Sequence, residues 1–443
     1  MNQVPASHPT HDKPGDRPKP APRHPMVSWS EKSAMHTARW RSEAGVAPPK
    51  RVVIADDTMN ADRAYRLACE GTALLWRGDF QNARQLLQAL VRRVDQKPVD
   101  KPPRSTDKLA RQKLSEKSLE YSPKKSPENS PEHSSEKPPE KLPPIAAQAF
   151  HLHRMAQAQR ARILGMLLLQ FEADHHIELR RAPDVRRACI EAYGADASAA
   201  TSERYVASMR ELLGLISAYE WRKKGIEIPA LDDRIHPHYG VFAPVRSEYV
   251  KLVNEAPLAA TDLAFDIGTG TGVLAAILAH RGVKHVVATD QDPRALACAR
   301  ANIKRLGMAG RVEVVQADLF PPSSALAKAG LIVCNPPWVP GRPSAPLEHA
   351  IYDHESRMLR GFLAGVARRL AQQGEAWLIL SDLAEHLGLR TREQLLSLIE
   401  AGGLRVLGRI DAKPEHPKTS DVSDPLHVAR RAEITSLWRL GLP

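Results

Sequence analysis

The hydrophobic pattern of the chain divides it near residue 230. Between residues 60 and 95, Ala64, Leu67, Ala68, Gly71, Leu74 and Leu75 recur at helical spacing. Gly78 then stops that run, and Asp79 stands where a helix cap belongs. Phe80, Ala83, Leu86, Leu87, Leu90, Val91 and Val94 form a second apolar stripe. The two runs predict an αα-hairpin, similar to one tetratricopeptide unit. Further helices are predicted over 148–172, after Pro183, and around Val206, Met209, Leu212, Leu213, Ile216 and Tyr219. None of these stripes is buried by its own helix, so they predict one all-helical domain, residues 53–230.

Two stretches lack any such pattern. Residues 1–52 are rich in proline, histidine and charge, and they predict a disordered basic arm, ordered at most around Trp29 and Trp40. Residues 96–144 carry Ser122-Pro123, Ser126-Pro127 and Ser130-Pro131 among Lys and Glu. That composition forms no core and predicts a disordered insertion, either a plain linker or a phosphorylated or partner-binding segment.

From residue 231 to 443 the pattern changes. Tyr239 to Phe242 predicts a short strand, and Glu248 to Asn254 a helix. Leu263–Ile267, His285–Thr289, Val312–Ala317, Leu331–Cys334, Ala376–Leu380, Leu404–Ile410 and Glu433–Leu440 predict strands, and the segments between most of them predict helices. Such alternation means an α/β, doubly wound (Rossmann-like) sheet with helices on both faces. Ligands of such sheets bind at the carboxyl ends of the strands. Asp266, Asp290, Asp318 and Asn335 all fall there.

Composition adds less. The formal net charge is +12, which favours an acidic partner such as a nucleic acid or a ribosomal particle. Four separated cysteines, Cys69, Cys189, Cys298 and Cys334, make no CxxC pair and fit free thiols rather than zinc or disulfides. The pairs His151/His153, His175/His176 and His236/His238 lack companion ligands at metal spacing and read as surface or structural histidines. With no secretory leader and no apolar run long enough to span a bilayer, the expectation is a cytoplasmic protein that does not enter membranes.

The chemistry concentrates in two stretches. Asp266-Ile267-Gly268-Thr269-Gly270-Thr271-Gly272 is a glycine loop spaced GxGxG, not the GxGxxG of dinucleotide folds, and no Lys-Ser/Thr pair makes it a Walker loop. Asp266 would repel a pyrophosphate but suits a cofactor carrying an ammonium and a sulfonium. Asp290 lies about 20 residues on, where a carboxylate can accept both ribose hydroxyls. Asp318, with Leu319 beside it, ends the third strand and can accept an adenine amino group. Asn335-Pro336-Pro337-Trp338 ends the fourth.

Together these motifs resemble the class I S-adenosylmethionine-dependent methyltransferases over about residues 235–440. The resemblance implies S-adenosyl-L-methionine as methyl donor, with Asp266, Gly268, Thr269, Gly270, Gly272, Asp290, Asp318 and Leu319 around it. It also implies a seven-stranded sheet whose last strand runs antiparallel. The delocalised lone pair of an amide or exocyclic amino nitrogen makes it a poor nucleophile. The Asn335 side-chain oxygen and the Pro336 carbonyl can each accept one N–H of such an NH2 group and turn its lone pair toward the methyl group. Trp338 offers a flat face for a planar amide or base.

N-P-P-aromatic sites serve both glutamine amides and base amino groups. The expected helical domain, followed by the catalytic domain and Pro346 to Phe362, resembles the release-factor glutamine methyltransferases, with Trp338 in place of their usual tyrosine. The first expectation is therefore a glutamine side chain of a translation protein, of release-factor or ribosomal-protein type. An RNA or DNA base is the second. A small-molecule methyltransferase and a non-catalytic adaptor that keeps the fold stay open, and the oligomeric state is unreadable.

Overall fold

The structure is a computed structural model that describes residues 24–96, 144–194, 203–258, 262–322, 328–343, 346–415 and 421–443. Its amino-terminal part corrects the expectation of an all-helical domain. Six strands, β1 (Met26–Glu31), β2 (Ala34–Trp40), β3 (Arg51–Ala55), β4 (Thr72–Trp76), β5 (Leu167–Phe171) and β6 (Tyr205–Ser208), form a mixed sheet in the order β1-β2-β6-β5-β4-β3. The helices Ala61–Cys69, Phe80–Asp95, Pro144–Leu164, Arg186–Tyr193 and Met209–Lys224 connect or flank them.

The misreading has a physical cause. All five residues of β4 are buried, so the strand shows no alternation, and a short run that is apolar apart from Thr72 fits helix or strand equally well. The helix Ala61–Cys69 ends at Glu70, and Gly71, at φ +78°, turns the chain straight into β4. The supposed helix hairpin is thus helix, strand, helix, and the likeness to a tetratricopeptide unit falls with it. In the same way the expected helix over 148–172 ends at Leu164 and gives way to β5. The second half of the reading holds: Asp79 caps the helix Phe80–Asp95 by accepting from the Gln81 N–H.

The expectation of a disordered arm over 1–52 is also corrected from residue 24 onward. β1 alternates outward and inward, placing Val27 and Trp29 in a core layer with Ala38 and Trp40 of β2. Those two tryptophans were the apolar anchors visible in the sequence; the polar residues between them face solvent. Residues 1–23, and the insertion apart from Gln96 and Pro144, lie outside the described residues.

A two-stranded ribbon, β7 (Ile226–Ile228) and β8 (Asp233–Ile235), leads into the second domain. Tyr239 to Phe242 makes no strand: Gly240 has φ +80° and Val241 donates its N–H back to the His238 carbonyl, a turn. The strands β9 (Leu263–Ile267), β10 (His285–Asp290), β11 (Val312–Gln316), β12 (Ala329–Cys334), β15 (Leu370–Ser381), β16 (Arg405–Ala412) and β17 (Thr435–Gly441) form a seven-stranded sheet. Their order is β11-β10-β9-β12-β15-β17-β16, with only β17 antiparallel to its neighbours. Between β12 and β15 a short parallel pair forms, β13 (Val339–Pro340) with β14 (Tyr352–Asp353).

Alternate residues of each central strand enter opposite layers, as the pleat requires. Ala264, Val286, Ala288, Leu331 and Val333 pack with the helices Glu248–Glu255 and Val273–His280. Phe265, Ile267, Val287, Ile332 and Cys334 pack with the helices Arg357–Arg369 and Arg392–Ala401. The sheet is therefore covered on both faces. Its carboxyl edge, between β9 and its neighbours β10 and β12, is where the chain order reverses and a crevice opens.

Candidate functional site

A cavity of about 610 Å³ opens at that edge. Gly268, Thr269, Gly270, Asp290, Asp318, Leu319, Asn335, Pro336 and Trp338 all line it. The structure thus brings together residues spread over seventy positions of sequence, with two exceptions. Asp266 and Gly272 sit behind the lining rather than in it.

The glycine loop is held from below. The N–H groups of Gly268 and Thr269 both donate to the Thr289 carbonyl at the end of β10, at 2.9 and 2.8 Å. Asp266 is buried and accepts from the Thr269 hydroxyl at 2.6 Å and from the Ala275 N–H at 3.0 Å. It ties the loop to the first turn of the following helix. Burial pushes its carboxyl up to about 6, against the pull of those two hydrogen bonds. Gly268 has φ +73°, and a Cβ there would come 2.5 Å from Met358 Cε. Gly272, at φ +82°, lies against the backbone of Ala299. Both positions need glycine, for conformation and for space.

Asp290 is half-buried and reaches across from β10. Its carboxylate accepts the Gly270 N–H and the Asp292 N–H, each at 3.0 Å, and burial raises its pKa. Asp318 is exposed at the other end of the cavity and pairs with Arg357 at 2.8 Å. Leu319 next to it has φ +72°, a left-handed conformation that a branched residue rarely adopts. The carbonyl of Leu319 accepts the Thr289 hydroxyl, and its Cδ1 fills the space left by Gly361. That strained turn sits on the cavity wall, where strain tends to collect at binding sites.

Asn335 follows β12 directly. Trp338 Nε1 donates to Asn335 Oδ1 at 2.8 Å. An indole N–H can only donate, so it fixes which way the Asn335 amide points. Oδ1 keeps a second lone pair for an incoming N–H. The Arg246 guanidinium lies over the Trp338 ring, 4.8 Å from its centroid. Arg246 is held there by Glu248 at 2.6 Å and Glu433 at 3.0 Å, and Glu433 also accepts the Ser381 hydroxyl at 2.7 Å. Arg246 and Glu433 both line the cavity.

The sequence reading missed this clamp. Arg246 lies between the predicted strand Tyr239 to Phe242 and the predicted helix Glu248 to Asn254, and Glu433 lies inside the predicted last strand. No spacing rule joins residues 187 positions apart. The signal available was weak: an Arg and a Glu two residues apart at the entry to an α/β domain. The lining thus combines the glycine loop, the Asp290 and Asp318 carboxylates and the Asn335–Trp338 pair. Its glycine turns, its carboxylates suited to a cation and its size fit S-adenosylmethionine. Among the described residues no cluster of metal-ligating side chains occurs, and no helix is long and apolar enough to cross a membrane.

Comparison with known proteins agrees with this geometry. The family model for the methyltransferase small domain matches residues 234–392. A release factor glutamine methyltransferase of Moorella thermoacetica is 43% identical over 76 residues, which are 17% of this chain and 26% of that protein. A ribosomal protein L11 methyltransferase of Pelotomaculum thermopropionicum is 45% identical over 71 residues, 16% of this chain and 22% of that protein. The chain therefore spans about a quarter of the length of these two relatives. A tRNA1(Val) (adenine(37)-N6)-methyltransferase of Shewanella loihica is 30% identical over 175 residues, 38% of this chain and 69% of that protein. The chain belongs to the methyltransferase small domain family, a family of S-adenosylmethionine-dependent methyltransferases.

Proposed function

We propose that the protein transfers a methyl group to a planar NH2 nitrogen, and that this nitrogen is the exocyclic amino group of an RNA base. The observation that carries the first part is Asn335, which lines the cavity beside Pro336 at the carboxyl end of β12 with its amide oriented by the Trp338 indole. Two oxygen acceptors orient the two N–H bonds and so aim the nitrogen lone pair. This is catalysis by positioning and electrostatics, and no side chain need act as a strong base. Bound in the cavity, S-adenosylmethionine supplies the electrophilic methyl group. Gly268, Thr269, Gly270, Asp290, Asp318 and Leu319 would hold it.

The choice of an RNA base has two supports. One ground for a glutamine substrate, an all-helical amino-terminal domain, is gone, because that domain carries a six-stranded sheet. Likeness to a tRNA adenine methyltransferase also extends over 175 residues, against 76 for the release-factor enzyme. The second reading, a protein glutamine, is kept because local identity to that enzyme is higher, at 43%. Methyl-labelled S-adenosylmethionine given to cell extract with the purified protein separates the two. Label released by ribonuclease and recovered in a methylated nucleoside supports the first reading. Label that resists ribonuclease and follows protein would sink it.

Two further results are expected at this site. Trp338→Phe keeps the ring but removes the N–H that orients Asn335. One net hydrogen bond is worth about 1 kcal/mol, so kcat should fall about fivefold with cofactor affinity unchanged. An unaltered kcat would show that Asn335 needs no such guide. The second result concerns pH. Burial raises both Asp266 and Asp290. A cation beside them favours their ionised forms, so affinity for S-adenosylmethionine should rise about tenfold between about pH 5 and pH 7. In the ligand-free protein the sign is reversed. Native Asp266 holds its proton more tightly than the unfolded chain, so stability falls as pH rises from 3.8 to about 6. Calorimetric titration across this range, alongside denaturant melts, measures both; a flat affinity would place the carboxylates outside the cofactor's field.

A further inference from the structure

The helix Pro144–Leu164 belongs to the amino-terminal domain at one end and to the other domain at the other end. Leu164 lies in the amino-terminal core, and Arg160 pairs with Asp95 of the neighbouring helix at 2.7 Å. Fourteen residues earlier, about 21 Å along the helix axis, Phe150 is buried in a different cluster. Its neighbours there are Val339, Leu383, Leu387 and Leu426, with Trp338 and Tyr352 against the same cluster. Phe150 and Tyr352 meet with ring centroids 6.3 Å apart. One turn on, Arg154 lies over the Tyr352 ring at 3.9 Å, pairs with Glu348 at 3.4 Å, and donates to the Arg342 carbonyl at 2.6 Å.

What the helix grips is the wall of the cavity. Val339 follows Trp338 directly and pairs, as β13, with Tyr352 of β14. His349, Ala350 and Ile351 line the cavity, while Glu348 and Tyr352 on either side of them are held by the helix. The segment therefore has one side facing the site and another anchored to the amino-terminal domain.

We propose that Phe150 and Arg154 are positioning residues for the methyl-acceptor side of the site: the amino-terminal domain sets the placement of residues 338–343 and 346–352 through this helix. The proposal rests on the reading of Asn335–Trp338 as the acceptor site. The domain thereby has a part in the reaction besides any contact of its own with substrate. A planar group entering between Trp338 and Ile351 meets a wall whose depth is set from outside by the Phe150 ring and the Arg154–Tyr352 stack. Loss of that hold should spare the glycine loop and Asp290, whose hydrogen bonds run to Thr289, Gly270 and Asp292.

The test uses the full-length chain with Phe150→Ala, Phe150→Leu and Arg154→Ala. Hydrogen exchange is read over 335–356, over 163–171 as a control for the amino-terminal fold, and over 266–275 as a control for the loop. Methyl transfer to extracted RNA is measured in parallel, with the affinity for S-adenosylmethionine. The expected result is faster exchange confined to 335–356, a kcat lowered about tenfold in Phe150→Ala and largely restored in Phe150→Leu, and cofactor affinity within twofold of wild type. A merely structural role would instead give faster exchange over 163–171 as well, or a lower melting temperature with an unchanged kcat. Either of those, or unchanged exchange over 335–356, overturns the proposal. If the wild-type protein methylates no RNA, the substrate reading fails by itself, and the exchange data still decide whether the helix holds the wall.

Discussion

Replacing Asn335 with alanine should lower kcat at least about 100-fold while the affinity for S-adenosylmethionine stays within about threefold. Removing one preorganised group from a reacting centre costs about 10²–10³ in rate. Under the proposed function Asn335 supplies an acceptor and fixes the direction of the nitrogen lone pair. Its side chain bonds to the Trp338 indole, so its loss spares the hydrogen bonds that hold the glycine turn. Single-turnover methyl transfer and calorimetry on the same preparation provide the two numbers. A variant that keeps its rate would refute the acceptor role; one that loses cofactor affinity in step with rate would move Asn335 to the cofactor side. Asn335→Asp is the sharper companion. It keeps an acceptor of the same shape but adds charge beside Glu433 and Arg246, and it should restore only part of the rate.

Replacing Asp290 with alanine should weaken S-adenosylmethionine binding about 100-fold. In the proposed site the carboxylate accepts two ligand hydroxyls, and hydrogen bonds to a charged group are worth about 1.5–3 kcal/mol each. The same change strands the Gly270 and Asp292 N–H groups that the carboxylate now accepts. Asp290→Asn separates these effects. Its side-chain oxygen can still accept one of those N–H groups, so the loop keeps part of its support while the charge is lost. Calorimetry gives the dissociation constants, and thermal melts show whether the loop has collapsed. An unchanged dissociation constant in both variants would exclude the ribose contact.

The legibility of the second domain came from position as much as from motif. Asp266, Asp290, Asp318 and Asn335 lie within two residues of a strand's carboxyl end, and doubly wound sheets put their ligands at that edge. Asp266 nevertheless reads differently in three dimensions. Its place before the glycines suggested direct contact with a cation, whereas its carboxylate is spent on Thr269 and Ala275 behind the cavity wall. Sequence spacing tells that a carboxylate is near a loop, not which side of the loop it faces. The amino-terminal domain was far less legible. β4 and β5 are short and apolar on both faces, so the alternation that marks a strand is absent, and each adjoins a true helix that lends it helical spacing. Arg246, Glu433, Phe150 and Arg154 could not be found from the chain alone, because each acts through a partner far away in sequence.

The amino-terminal domain touches the other domain at a second point. Glu43, in the turn after β2, pairs with Arg294 at 2.6 Å, and Arg294 lies in the first turn of the helix that follows Asp290. The amino-terminal domain thus contacts the other domain beside Asp290 at one place and beside Trp338 and Tyr352 at another. Such a splint joins the two half-sites into one thermodynamic system. Whatever factor an acceptor imposes on cofactor affinity, the cofactor must impose on acceptor affinity. The order in which the two ligands arrive is then a matter of kinetics alone, while the free energy of the filled site is the same by either route.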